Sequence, residues 1–259
     1  ILGVVGTQTP ASVATALQNS FDQFQQSSFF NTVVNRSNIT STTAPILAGS
    51  TNEAIGFDGN DLSALLLQPG QPGYAANGKL DLSDVASFAA LRAKLELTGF
   101  TVDSAITDAQ YSQLPANSPT DFIRFTRTYR LSDLVGVASF NPAIFDLLME
   151  TSAINAAGQL RFSASTEMYL TMGFDTAGFY VLTGKAIDVS IAASGQVNGA
   201  LGAVGTTVGI ANLDYSSQVN LSTENADGRI RLADIASSHA SSLAGLATQL
   251  VSGAAGVDL

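Results

Sequence analysis

The chain has no cysteine, no tryptophan, one histidine and three lysines in 259 residues. Without cysteine there is no disulfide frame, no thiolate metal site and no thiol nucleophile. A zinc site needs several histidine or cysteine ligands, and they do not exist here. A Ser–His–acid hydrolase would have to be built around His239, in Ser237-Ser-His-Ala-Ser-Ser242, and there is no Gly-x-Ser-x-Gly elbow to carry its nucleophile. Charge is scarce as well: 12% of residues are charged, against about 25% in an ordinary soluble domain. The 11 basic residues are outnumbered by 21 acidic ones, for a net charge of −10. That excludes most nucleic-acid binders, which need a basic face to release counterions. No apolar run reaches the ~18 residues of a membrane-spanning helix. The opening Ile1-Leu-Gly-Val-Val-Gly6 has no basic residue ahead of its apolar ones, so it reads as the start of a processed or excised chain rather than a secretory signal.

What is present is apolar and small. Hydrophobic residues make up 46% and the mean hydropathy is +0.24, which excludes general disorder. The expected fold class is β-rich α+β: a long-stranded antiparallel sheet with a few packed helices. The expected division is 1–118, mixed helix and loop, and 119–259, an antiparallel meander closed by a C-terminal helix, the two together forming either two units or one continuous domain.

Three helices are expected. The first begins at Pro10 and places Val13, Ala14, Leu17, Phe21 and Phe24 near a 3.6 period, with Phe29 following. The second follows Asp81-Leu-Ser83, with Ser83 or Asp84 as its cap and Val85, Phe88, Leu91 and Leu95 on its stripe. The third runs from about Ala233 to Val251 through Ile235, Leu243, Leu246 and Leu250. The strands are clearer. From Gln159 to Phe174, Leu160, Phe162, Ala164, Thr166, Met168, Leu170, Met172 and Phe174 alternate with Arg161, Ser163, Ser165, Glu167, Tyr169 and Thr171. Asp175-Thr-Ala-Gly178 turns the chain into Phe179-Tyr-Val-Leu182. Ile187, Val189, Ile191 and Ala193 alternate again, and a phase slip predicts a bulge near Ala211-Asn212. Residues 122–131 form a further strand, with Arg127 on the face of Ile123 and Phe125, and Arg124 and Arg130 on the other. One segment repeats: Asn77-Gly-Lys-Leu-Asp-Leu-Ser-Asp-Val85 matches Asp227-Gly-Arg-Ile-Arg-Leu-Ala-Asp-Ile235. The pattern reads as a tight turn, a short extended run and a helix start, a shared solution to turning and capping or a duplicated module.

Carboxylates are the only abundant reactive groups. Paired-carboxylate glycoside cleavage needs two of them across an aromatic-lined cleft, and the absence of tryptophan weighs against it. Calcium suits them better, because it takes hard oxygen ligands. The densest candidate is Asp58, Asn60 and Asp61 in Phe57-Asp-Gly-Asn-Asp61, and Asn225, Asp227 and Asp234 form a second set. Neither shows the EF-hand's alternating acidic residues closed by a glutamate at position twelve. Gly199, Gly202, Gly205 and Gly209 lack the Lys-Ser/Thr ending of a phosphate loop and read as turn and close-packing residues. Arg124, Arg127 and Arg130 could face an acidic neighbouring subunit, or form internal pairs. Asn35, Asn38 and Asn220 stand in glycosylation sequons.

The run from Gly158-Gln-Leu-Arg-Phe162 through Gly173-Phe-Asp-Thr-Ala-Gly-Phe-Tyr-Val181 resembles a recurring segment of giant bacterial surface proteins of the LEPR-XLL and large repetitive adhesin type. Ile187-Asp-Val-Ser-Ile-Ala-Ala-Ser-Gly195 and Asn225-Ala-Asp-Gly-Arg-Ile-Arg-Leu-Ala-Asp-Ile235 carry the same resemblance. It covers 155–235 well and the first 155 residues loosely. It implies an extracellular, repetitive, β-rich architecture and offers no catalytic residue to transfer. The expected function is therefore a non-enzymatic structural module at the cell surface, self-associating into a layer, filament or adhesive stalk. The alternative is a module that binds a glycan or another surface polymer. Expected partners are copies of the chain, with a surface glycan second, and neither nucleic acid nor a membrane span. Too few charges exist to cover the surface, so apolar patches should remain as contact sites. The apolar ends, Ile1 to Val5 and Gly253 to Leu259, are expected to join a neighbour's sheet.

Overall fold

The structure, a computed structural model, describes residues 9–30, 72–114, 120–139, 154–201, 204–237 and 246–258. Helix α1 (Pro10–Gln25) starts where expected. Thr9 caps it by accepting the Ser12 amide at 3.2 Å, and Ser12 Oγ accepts the Thr9 amide at 2.8 Å. That reciprocal pairing satisfies two of the free donors of the first turn. Val13, Ala14, Leu17, Phe21 and Phe24 form its buried stripe.

Helix α2 (Phe88–Leu97) starts one turn later than the sequence suggests, because Ser87 rather than Ser83 or Asp84 is the cap. The Asp81 carboxylate takes the Ser83 amide at 3.1 Å and hydroxyl at 2.7 Å. Those bonds close a turn and leave Ser83 no hydroxyl with which to start a helix. The Ser83 contacts also hold the Asp81 carboxyl below its ordinary range. Gly99, at φ +83°, ends α2 and lets the Phe100 amide reach the Leu95 carbonyl at 3.1 Å.

The strands follow as β1 (Thr101–Ala105), β2 (Asp121–Ser139), β3 (Ile154–Asp175), β4 (Gly178–Leu182), β5 (Gly184–Leu201), β6 (Val204–Leu221), β7 (Arg229–Arg231) and β8 (Ala247–Asp258), with short helices α3 (Asp108–Tyr111) and α4 (Leu232–Ser237) between them. All neighbouring strands are antiparallel, in the order β1-β2-β3-β5-β6-β8, with β4 on β3 and β7 on β4. The fold is thus β-rich α+β, a long-stranded antiparallel sheet with a few packed helices. At 22 residues, β3 spans about 70 Å.

Three details differ from the sequence reading. The strands do not form a simple meander. One edge of β3 is shared, with Met172–Asp175 paired to β4 and Ile154–Met168 paired to β5. The bulge falls at Val208, since Val197 faces Gly209 while Asn198 faces Thr207, and the register across Ala211 and Asn212 is unbroken. The expected helix over 233–251 stops at Ser237 in the described residues. Residues 247–258 instead form β8 along the edge of β6. Backbone pairing with a long neighbouring strand outweighs a helical propensity already lowered by Thr248, Val251, Gly253, Gly256 and Val257.

One end of the sheet carries the core. Ile123 and Phe125 of β2, Met168, Leu170, Met172 and Phe174 of β3, Ile187 of β5 and Val219 of β6 are all buried there. β3 lies between β2 and β5, and Met168, Leu170 and Phe174 are on its buried face as expected. The side chain of Phe162 lies outside the described residues. With no tryptophan available, phenylalanine fills the interior. Phe100 meets Phe21 edge-on at 5.8 Å and Phe125 at 5.1 Å, and Phe24 of α1 packs on Phe179 of β4 at 5.6 Å. The helices make their main sheet contacts with β1, β4 and β7.

Candidate functional site

The densest chemistry among the described residues is built by the second copy of the repeated segment. Gly228 takes φ +66°, and the Asp227 carboxylate accepts the Arg229 amide at 3.1 Å. This turn delivers β7 antiparallel to β4, with Ile230 opposite Val181 and both fully buried. Strand alternation sends Arg229 and Arg231 to the other face. There both guanidiniums lie over the ring of Tyr180, at 4.4 and 5.3 Å from its centroid.

Both arginines converge on Asp175, which is 2% exposed. Arg231 donates to its two oxygens at 2.8 and 2.9 Å, and Arg229 donates to one of them. The Ala177 amide adds a bond at 2.8 Å. Arg229 also pairs with Asp121 at 3.0 Å, and Arg231 with Asp227 at 3.1 Å. The Tyr180 ring fits because residue 173 is glycine: a Cβ there would collide with the phenol and with the Ile123 carbonyl.

Electrostatics commits these groups to one another. Burial raises the Tyr180 phenol far above its ordinary value, and the nearby negative charge of Asp121 pushes the same way. Desolvation works to raise the Asp227 carboxyl. The Arg229 amide and the two guanidiniums outweigh it and hold the group below the usual range. Three carboxylates facing two guanidiniums, with a phenol kept protonated, hold no activated nucleophile and no base aimed at one. The cluster is a clasp that fastens β7 and its turn to the end of β2 and β3.

The first copy of the repeat makes the same turn. Gly78 has φ +79°, and the Lys79 amide bonds Asn77 Oδ1 at 3.1 Å. The Gly78 amide reaches the Ala75 carbonyl at 2.9 Å, as the Gly228 amide reaches the Asn225 carbonyl at 3.0 Å. Lys79 pairs with Asp22 of α1 at 2.8 Å, so each copy sends its basic residue to a carboxylate of the core elements. In the second copy Asn225 and Asp234 come together, while Asp227 turns to the arginines. The Asn225 amide donates to the Arg229 carbonyl at 2.8 Å and to Asp234 at 2.9 Å, and the Arg231 amide also bonds Asp234. These groups satisfy one another, and Asp227 is already paired with arginine. Among the described residues, no three histidine, cysteine or acidic side chains are grouped to hold a metal. Asp58, Asn60 and Asp61 lie outside the described residues, as do His239, Asn35 and Asn38.

Arg124, Arg127 and Arg130 divide between the two faces as expected. Arg127 is buried with Ile123 and Phe125, donates to the Thr98 carbonyl at 2.6 Å at the end of α2, and lies 5.4 Å from the Phe100 ring centroid. The helix C-terminus attracts its charge, and Gly99 leaves the space it fills. Arg124 and Arg130 are on the other face, paired with Asp121 at 3.8 Å and Glu167 at 3.3 Å. Asn220 sits inside the sheet, on β6 between Lys185 of β5 and Thr248 of β8.

The second notable feature is the pair of sheet edges. β8 is paired with β6 along its whole length, and among the described residues no strand lies on its other side. β2 is covered by β1 only at Ile123–Thr126, which leaves 127–139 without a partner on that side among the described residues. Among the described residues, two of the four exposed large hydrophobic ones sit on these edge strands: Val135 of β2 is 75% exposed and Leu250 of β8 is 64% exposed. β8 contains no lysine, arginine or proline, and its sole charged residue is Asp258. Those are the residues with which proteins ordinarily block an edge.

Sequence patterning located the turn and the arginines of the clasp but missed Asp121, Asp175 and Tyr180 as their partners. The one available signal was that Arg229 and Arg231, flanking a core residue at period 2, must find acceptors on the sheet. No protein-family model, no curated protein and no solved structure matches the chain.

Proposed function

We propose that this chain is a non-catalytic structural module of an extracellular or cell-surface assembly, and that copies of it join edge to edge through their sheets. The observation that carries the reading is the pair of open edges. Each presents an exposed large aliphatic residue and, among the described residues, no strand beside it; β8 carries only Asp258 as a charge, and β2 has none after Asp133. The resemblance of 155–235 to giant bacterial surface proteins supports the location, and the commitment of the clasp residues to one another supports a structural role.

The two edges lie on opposite sides of the sheet. Joining β8 of one copy to the distal part of β2 in the next is a heterologous contact, which generates an open filament or layer unless rotation closes a ring. Sedimentation velocity over a concentration series tests this. The expected result is a progressive rise in sedimentation coefficient. A single monomeric species at the highest concentration contradicts it.

A further inference from the structure

The outer face of the sheet carries a feature that edge pairing does not use. At the branch where β3 leaves β5 to pair with β4, the sheet opens into two adjoining grooves of about 390 and 320 Å³. They share Glu167, and their floor runs along β3 from Ser165 to Thr171, a distance of about 20 Å. Tyr169 stands in this track, 47% exposed, on a protein that buries most of its aromatic rings.

Four charged side chains surround it, and they cancel. Arg130 pairs with Glu167 at 3.3 Å and Lys185 with Asp188 at 2.8 Å. Each carboxylate gives one oxygen to its cation. We infer that this track is a binding site for an uncharged polysaccharide, with Tyr169 as its stacking platform.

The chemistry selects that ligand class. The negative face of an aromatic ring attracts the C–H edge of a pyranose. A carboxylate fixed by a neighbouring cation accepts from two adjacent hydroxyls, and the cations donate to the ring and glycosidic oxygens. A charge-neutral lining favours neither an anionic nor a cationic polymer. Leu182 and Leu221 line the larger groove beside Tyr169, but both grooves are open to solvent, unlike an enclosed apolar lipid pocket. An elongated track of linked grooves suits a chain of sugars better than a single small molecule. The track lies on the face of the sheet: Arg130 is its one residue from an edge strand, and β8 contributes nothing to it.

Affinity electrophoresis tests it, with the full chain run through native gels containing β-1,4-glucan, xylan, mannan or α-1,4-glucan. The parent chain should be retarded by at least one of the four. Tyr169→Ala should weaken that retardation by about tenfold, the loss of one aromatic stacking contact. Tyr169→Phe should keep it, and Leu250→Lys on β8 should bind as the parent does. Urea melts of each variant separate lost binding from lost folding. The inference is overturned if none of the four polymers retards the parent, or if Tyr169→Ala with an unchanged melt is retarded equally. It is also overturned if binding disappears in Leu250→Lys, because the polymer would then be held by the assembly and not by this track.

Discussion

One sheet serves two different ends. Where β2, β3, β4 and β7 meet α1 and α2, side chains hold the structure: interlocked phenylalanines on one face and the Asp175 clasp on the other. Farther along, β5, β6 and β8 run on in sequences such as Ser194-Gly-Gln-Val-Asn-Gly-Ala-Leu201 and Ala247-Thr-Gln-Leu-Val-Ser-Gly-Ala-Ala255, rich in glycine, alanine and serine. Those residues have little side chain to pack, and continuous backbone pairing between long strands does the holding. A chain with few charges can thus keep a conventional core at one end and present a plain, extendable ladder at the other.

The contrast can be broken first at the core. Phe125→Ala removes a fully buried ring that packs edge-on against Phe100 and should cost about 4 kcal/mol in a urea titration. Val135→Ala, on the exposed stretch of the same strand, should stay within about 0.5 kcal/mol of the parent. Equal costs would mean that the two ends are held alike.

Breaking the clasp should be the next largest effect. Asp175→Ala leaves two largely buried guanidiniums sharing Asp121 and Asp227, and should lower stability by about 3 kcal/mol. Gly173→Ala forces a Cβ into Tyr180 and should cost about 2 kcal/mol by overpacking. Thermal melts of both variants check this, and a melt unchanged from the parent would remove the clasp from the account.

How much of this was legible in the sequence follows the same division. Elements whose period is written in large side chains, α1 with Phe21 and Phe24 and β3 with Met168, Leu170 and Phe174, read correctly because burial and spacing coincide. The ladder end did not. Leu246 and Leu250 share a helical stripe with Ile235, yet 247–258 is strand, because an available neighbouring edge decides the matter and Gly253, Gly256, Val251 and Val257 weaken the competing helix. The bulge at Val208 was misplaced by a few residues for the same reason. The clasp was half legible: the Asp-Gly turn is local, but Asp175 meets Arg229 and Arg231 across 54 and 56 residues, and no local pattern records such a pairing.

A smaller effect sharpens the picture of the clasp. Tyr180 is raised above its unfolded value of 10.0 chiefly by burial. Its contribution to stability is therefore fully present below pH about 10 and is lost as pH climbs from there toward the folded value. Burial raises Tyr74 and Tyr111 in the same direction. Urea midpoints should fall between pH 9 and 11 in the parent and fall less in Tyr180→Phe. An identical fall in both would show that Tyr180 does not couple its proton to folding.

The smallest expected change in stability, at the two edges, bears most directly on function. Leu250→Lys spoils β8 and leaves β2 open, whereas Val135→Lys spoils β2 and leaves β8 open. Each should change stability by less than about 0.5 kcal/mol and each alone should sediment as a monomer. Mixed in equal amounts, the two variants still hold one good edge of each kind, so sedimentation velocity should show a heterodimer that grows no further. A mixture that stays monomeric, or single variants that polymerise like the parent, would contradict edge-to-edge assembly.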